Sequence, residues 1–156
     1  MEKEKSAGAI IFRREGGNIY YLLLHYGAGH WDFPKGHVEK GEKEKETVAR
    51  EIKEETGIKD IKFLADFKVK IKYFYRKTYN QASKSRKRVG VSTPLIFKEV
   101  IFYLVETLTK EVRISYEHLG FQWLVFKEAI EKLTFKNAKE ILRKVNDFLL
   151  NCEKEK

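Results

Sequence analysis

A chain of 156 residues with 42% hydrophobic and 13% aromatic content is sized for a single domain, 1–156, and can bury a real core, which excludes a disordered chain. Its 32 Lys and Arg against 23 Asp and Glu leave a formal charge of +9. That balance favours anionic partners such as phosphates, nucleotides or RNA, although a Lys/Glu-rich surface of the hyperthermophile kind would produce it too.

The single cysteine, Cys152, excludes an internal disulfide framework and a four-cysteine zinc site. No apolar run approaches the roughly 20 residues of a membrane span, and "MEKEKSAGAIIF" does not read as a secretory signal. A cytoplasmic protein is expected, with no membrane partner and no obligate protein partner evident.

In chain order, "SAGAIIFRR" and "IYYLLLHY" predict two strands joined at "EGGN", 15–18, where paired glycines suit a hairpin. "GAGHWDFPKGHVEKGE", 27–42, is Gly-rich and irregular and reads as a loop. Helical spacing runs from about Lys43 to Thr56, with Val48, Ala49 and Ile52 as an apolar stripe and Gly57 in the left-handed C-cap position. "IKFLADFKVKIKYFY", 61–75, predicts a long strand. A basic stretch follows, with Arg76, Lys77, Lys84, Arg86, Lys87 and Arg88 and no acidic residue among them. "FKEVIFYLVE", 97–106, and "FQWLVF", 121–126, return to strand character. "KEAIEKLTFKNAKEILRKVNDFLL" has helical spacing broken near Thr134–Phe135, which predicts two helices. Strands around one mid-chain helix, closed by C-terminal helices, give an α+β or three-layer sandwich.

Glu51, Glu54 and Glu55 fan along one flank of the Val48–Ile52 stripe, at the edge of the buried face. Like charges three and four residues apart repel, and three carboxylates cannot all stay ionised there without a compensating cation. Hard oxygen ligands select Mg²⁺ or Mn²⁺, which draw further ligands from phosphates. A solvated acidic face neutralised by lysines would account for "EIKEE" alone. The surroundings decide otherwise: Gly36, five residues, Glu42, seven residues, then Arg50-Glu51-Ile52-Lys53-Glu54-Glu55-Thr56-Gly57-Ile58.

That pattern fills every fixed position of the Nudix box, and the chain resembles the Nudix hydrolases, which cleave nucleoside diphosphates linked to another moiety. The resemblance implies the Nudix fold, an α+β arrangement with a mixed β-sheet sandwiched between α-helices. It also implies a Mg²⁺-dependent hydrolase of phosphoanhydride bonds, with Glu51, Glu54, Glu55 and Arg50 as its catalytic set. On it, the Gly36 carbonyl faces the metal, and Glu51, Glu54 and Glu55 hold one to three Mg²⁺ ions. Arg50 and Glu42 pair to orient the cluster, with Arg50 on a different face. A carboxylate takes the proton from the attacking water, Glu51 or Glu55 being favoured.

Outside the box, "SAGAIIFRR", "HWDFPKGHVEKGE" and "ISYEHLGFQWLVFKEA" resemble the asymmetric diadenosine tetraphosphate hydrolases, from about Ser6 to Leu150. This narrower resemblance implies cleavage of a dinucleoside polyphosphate, diadenosine tetraphosphate to ATP and AMP. It places His30 and Lys35 on the phosphate chain, Glu117 as a further metal ligand, and Tyr73 and Phe135 on either side of adenine. Tyr75 replaces Tyr73 if the strand register differs; Trp31 and Trp123 are assigned to packing. Between Tyr73 and the strand near Val100 the chain is longer than the family norm, which leaves a basic insertion at about 76–92. It is either a solvated hairpin tip or a cationic arm for a long anion, an RNA 5′ end included. Nucleoside triphosphates, RNA 5′ ends and diphosphoinositol polyphosphates are the alternative substrates, and a nucleotide-binding domain without activity has no need of the intact box.

Overall fold

The computed structural model describes residues 2–76 and 93–154, the side chains of 65, 66 and 154 excepted; the basic insertion lies outside them apart from Arg76, which donates to the Thr93 carbonyl at 2.7 Å. β1 (Glu2–Glu15) and β2 (Asn18–Tyr26) run antiparallel, with Phe12 opposite Tyr21 and Glu15 opposite Asn18. Gly16 and Gly17, at φ 58° and 80°, make the tight turn that a two-residue hairpin needs. β1 begins earlier than its apolar run because its charged start is a parallel neighbour of β6 (Leu95–Glu106), from Glu2 opposite Ile96 to Phe12 opposite Glu106. β5 (Lys62–Arg76) lies antiparallel on the other edge of β6, with an irregularity between Phe63 and Lys68.

The stretch expected to be a plain loop at 27–42 contains two short strands, β3 (Trp31–Asp32) on β2 and β4 (Lys35–His37) on β1. Runs of two and three residues are too short to carry a periodic signal. β7 (His118–Leu124) pairs with β2 and starts three residues before its predicted beginning. The seven strands follow the order β3-β2-β1-β6-β5, with β4 beside β1 and β7 beside β2.

Successive strand side chains point to opposite faces, and both faces of this sheet are covered. Ile10, Phe12, Tyr21 and Leu23 pack with Ile141, Leu142 and Val145 of α3 (Lys136–Lys154), and with Ala129 of α2 (Phe126–Lys132). Ala9, Ile11, Leu22 and Leu24 pack with Val48 and Ile52 of α1 (Glu44–Thr56). Burial on both sides is why "GAIIF" and "YLLL" read as unbroken apolar runs. The result is a mixed sheet sandwiched between α-helices. In α1 the buried face is Thr47, Val48, Ile52, Glu55 and Thr56, so Ala49 lies at its margin. Burying Val48 and Ile52 stabilises the fold by roughly 1.5–3 kcal/mol each, which seats α1 on the sheet. Among the described residues no helix is long and apolar enough to cross a membrane.

Candidate active site

The close seating of α1 against β4 sets up the site. Gly36 lies opposite Ala7 of β1, and a Cβ placed on it would be 2.0–2.5 Å from the Glu51 carboxyl group. Only a glycine lets that carboxylate lie against the strand. At the far end of α1, Gly57 at φ 75° donates its N–H to the Lys53 carbonyl, the C-cap its spacing predicts.

Arg50 ties the acids together. Its Nε and Nη2 grip the two Glu42 oxygens at 2.8 and 3.0 Å, Nη1 donates to Glu51 Oε1 at 2.8 Å, and Nη2 also donates to the His37 carbonyl at 2.9 Å. Nη1 reaches Glu54 Oε2 at 3.4 Å as well. The expected Glu42–Arg50 pair is therefore present, but Arg50 does not keep to a face of its own. Glu54, four residues on, shares its side of the helix, and the long side chain reaches Glu51 as well. The hydrogen bonds from Arg50, joined by the Thr47 hydroxyl, hold the Glu42 carboxyl down at about 2, while Glu42 and Glu51 raise the guanidinium further above its ordinary value.

The box glutamates differ in environment. Glu54 is exposed, Glu51 is half-buried, and Glu55 is 5% exposed. Burial pushes the Glu51 carboxyl up against the opposing pull of Arg50. Burial first, then the charges of Glu51 and Glu117, push Glu55 up to about 8. Glu55 Oε1 lies 3.1 Å from Nε2 of the buried His118. Burial lowers the His118 pKa, and the ring nitrogen and the carboxyl share a hydrogen bond. The second Glu55 oxygen, Oε2, is buried without a hydrogen-bond partner. Glu117, the expected outer carboxylate, joins these acids in a cleft of about 710 Å³ with Gly36, Arg50, Lys35 and Lys98.

A second cavity of about 360 Å³ adjoins the cleft. His30, Lys35, Tyr73 and Phe135 all line it, together with Ile71, Phe102 and Ile141. The register selects Tyr73 over Tyr75, whose hydroxyl instead donates to Glu4 at 2.6 Å. Phe135 is set at the break between α2 and α3 because the Trp31 N–H donates to Thr134 Oγ1 at 2.8 Å and the Thr134 N–H to the Trp31 carbonyl at 3.2 Å. Trp31 itself stacks on His25, and the Trp123 indole donates to the Lys110 carbonyl, so both tryptophans pack as assigned. Lys35 lines both cavities.

The NUDIX domain family matches residues 2–145. The chain belongs to the Nudix hydrolase family. It is 33% identical over 157 positions to the bis(5′-nucleosyl)-tetraphosphatase [asymmetrical] of Mus musculus, covering 93% of this chain and 95% of that protein. Its identity to the Sus scrofa protein of the same name is 34%, with the same coverage. A crystal structure of a C. elegans Ap4A hydrolase binary complex superposes with a TM-score of 0.76 at 29% identity, over 95% of this chain and 98% of that one.

Asp32, Asn137, His118, Lys98 and Tyr26 of this Nudix site carried no assigned role in the sequence. Asp32 and Asn137 line the slot, His118 supports Glu55, and Lys98, 3.6 Å from Glu4, lines the acidic cleft. Tyr26 joins the two cavities: its ring stacks on His30 at 4.6 Å and meets His118 edge-on at 4.6 Å. The stretches "HWDFPKGHVEKGE" and "ISYEHLGFQWLVFKEA" of the narrower resemblance span Asp32 and His118 without giving either a role.

Among the described residues no three carboxylates or imidazoles converge closely enough to hold an ion as they stand. Arg50 draws Glu51 and Glu54 to itself, and His118 holds Glu55. The donor set nevertheless fits a hard divalent cation. Glu55 Oε2 is an orphaned buried oxygen, and the repulsion among Glu51, Glu55 and Glu117 is of the kind a bound cation relieves without protonating the acids.

Proposed function

We propose that this Nudix hydrolase cleaves dinucleoside polyphosphates, and diadenosine tetraphosphate in particular, to ATP and AMP. The observation that carries this reading is Lys35. A compact ammonium shared by an apolar aromatic slot and an acidic cleft suits a ligand with a base at one end and a phosphate chain leading away. Relatives at 33–34% identity over nearly the full length carry the corresponding name. The slot favours a nucleotide over an inositol pyrophosphate, which has no flat apolar group to place there.

In this reading Tyr73 and Phe135 hold one adenine, and His30 and Lys35 hold the phosphates next to it. Glu51, Glu54, Glu55, Glu117 and the Gly36 carbonyl are the groups that hold Mg²⁺, with Mn²⁺ as a substitute. When bound, the metal neutralises the phosphate charge and acidifies the attacking water. Arg50 is a positioning residue: through Glu42 and the His37 carbonyl it fixes where the Glu51 carboxylate stands. His118 does the same for Glu55 by holding Oε1. Glu55 or Glu51 receives the proton of the attacking water.

The test is a substrate panel with Mg²⁺ and identified products. ATP plus AMP from diadenosine tetraphosphate, with Glu54→Gln folded but inactive, is the expected result. Faster release of pyrophosphate from nucleoside triphosphates or RNA 5′ ends, or of phosphate from diphosphoinositol polyphosphates, would replace the substrate. No phosphorylated product from any of them would remove the enzymatic reading.

A further inference from the structure

The slot wall is mostly apolar, with Ile71, Phe102 and Ile141 beside the two aromatics. Within it stands one buried acid. Asp32 is 4% exposed, and its Oδ1 accepts the Phe33 N–H at 2.7 Å. Oδ2 lies 3.6 Å from Lys35 Nζ, an ion-pair separation too long for a good hydrogen bond. One main-chain donor and one ammonium leave much of the accepting capacity of a carboxylate unused, since it has about four lone-pair sites. A carboxylate in an apolar cavity is costly unless donors reach it. Asn137, in the first turn of α3, lines the same slot, and the Trp31–Thr134 hydrogen bonds tie that end of the helix to β3.

We infer that Asp32 and Asn137 read the hydrogen-bonding edge of the base held in the slot, so that it selects a base with an exocyclic amino group, adenine over hypoxanthine. The inference rests on the nucleotide reading of the slot. Stacking alone accepts any base, because every base has a π-face; selectivity needs polar groups at the edge. Adenine brings an amino donor to the Asp32 carboxylate and ring-nitrogen acceptors to the Asn137 amide. Hypoxanthine puts a carbonyl oxygen where the amino group was. A carboxylate then faces an oxygen, and a buried acceptor loses its donor, the situation in which sites discriminate most strongly.

Calorimetric titration of the full chain with AMP and with IMP, in EDTA, tests this without catalysis. The wild type should bind AMP about tenfold tighter than IMP or better. Asp32→Asn, whose amide can donate to the carbonyl, should bring the two within about twofold. Asn137→Ala, at an exposed position, should weaken AMP more than IMP. Tyr73→Ala should weaken both by the same factor. An unchanged AMP affinity in Tyr73→Ala would overturn the slot reading itself. With that reading standing, equal wild-type affinities for AMP and IMP would overturn the edge reading alone. So would an Asp32→Asn variant in which both affinities fall together, leaving Asp32 only to hold Lys35 in place.

Discussion

Glu55→Gln should stabilise the metal-free protein, and only above about pH 4.5, increasingly up to about pH 8. In the unfolded chain the Glu55 carboxyl titrates near its ordinary 4.5, whereas in the fold it is pushed up to about 8. Below 4.5 both states are protonated and Glu55 has no effect on stability through its charge. Between 4.5 and 8 the unfolded state ionises while the folded state keeps its proton, so stability falls as pH rises. Above 8 the loss is complete. A shift from 4.5 to about 8 corresponds to about 5 kcal/mol at roughly 1.4 kcal/mol per pH unit, an upper limit because Glu51 and Glu117 share in it. For a chain of 156 residues each 1 kcal/mol moves Tm by about 2–4 °C. Gln keeps both a donor and an acceptor for the contact with His118 Nε2 but carries no charge. Scanning calorimetry in EDTA should therefore show wild type and Glu55→Gln melting together near pH 4 and separating by up to about 10–20 °C by pH 8. Mg²⁺ should raise the wild-type Tm at pH 8 and leave the variant nearly unmoved. A Tm difference that stays constant from pH 4 to pH 8 would refute the argument, because burial and like-charge repulsion at Glu55 would then have no thermodynamic expression.

Gly36→Ala should separate stability from activity: its Cβ would displace the flexible end of Glu51, so Tm should drop by only a few °C while kcat falls roughly 100-fold, as circular dichroism melts and steady-state kinetics would show. Arg50→Lys should lower kcat/KM roughly 100-fold, because an ammonium cannot make the fork on Glu42 and still reach Glu51 and the His37 carbonyl; wild-type kinetics in this variant would remove Arg50 as a positioning residue. Phe135→Ala should raise KM for diadenosine tetraphosphate roughly 5- to 100-fold, the equivalent of one stacked base, with Phe135→Tyr close to wild type. An unchanged KM in Phe135→Ala would take the base out of the slot.

What was legible in the sequence was whatever depends on local spacing. Gly36, Glu42 and the 50–58 segment lie within one strand–loop–helix unit, so fixed intervals place Arg50 over Glu42 and turn the glutamates to one flank. Gly57 and the paired glycines at 16 and 17 were legible because only positive φ fits there. The gaps arise where distant segments meet. The partner of Glu55 is His118, 63 residues away, and no periodicity links them. Asp32 reads as one more polar residue in a Gly-rich loop; it lines a cavity with Phe102, Ala138 and Ile141, about 70 to 110 residues further along the chain. The parallel pairing of β1 with β6 was hidden for the same reason, and with it the strand character of "EKEKS". Arg50 and Glu54 are four residues apart and so share a side of α1, from which the long side chain also reaches Glu51 and the His37 carbonyl.

The charge pattern of the cleft bears on why a metal should matter for binding as well as for chemistry. The cations lining it are already engaged: Arg50 with Glu42, Glu51 and Glu54, Lys98 with Glu4, and Lys35 with Asp32. Five carboxylates, Glu39, Glu51, Glu54, Glu55 and Glu117, line the same space. A polyphosphate entering alone would meet more negative charge than free positive charge, despite a net +9 on the whole chain. A divalent cation reverses that balance locally, since it is attracted by the acids and attracts the phosphates in turn. Each ligand then raises the affinity for the other by the same factor, as linkage requires. Lys35 keeps the two halves of the site in register, because its ammonium borders the base slot on one side and the acids on the other. Its partner Asp32 holds it there at 3.6 Å, close enough to steer the ammonium and far enough for a phosphate oxygen to compete for it.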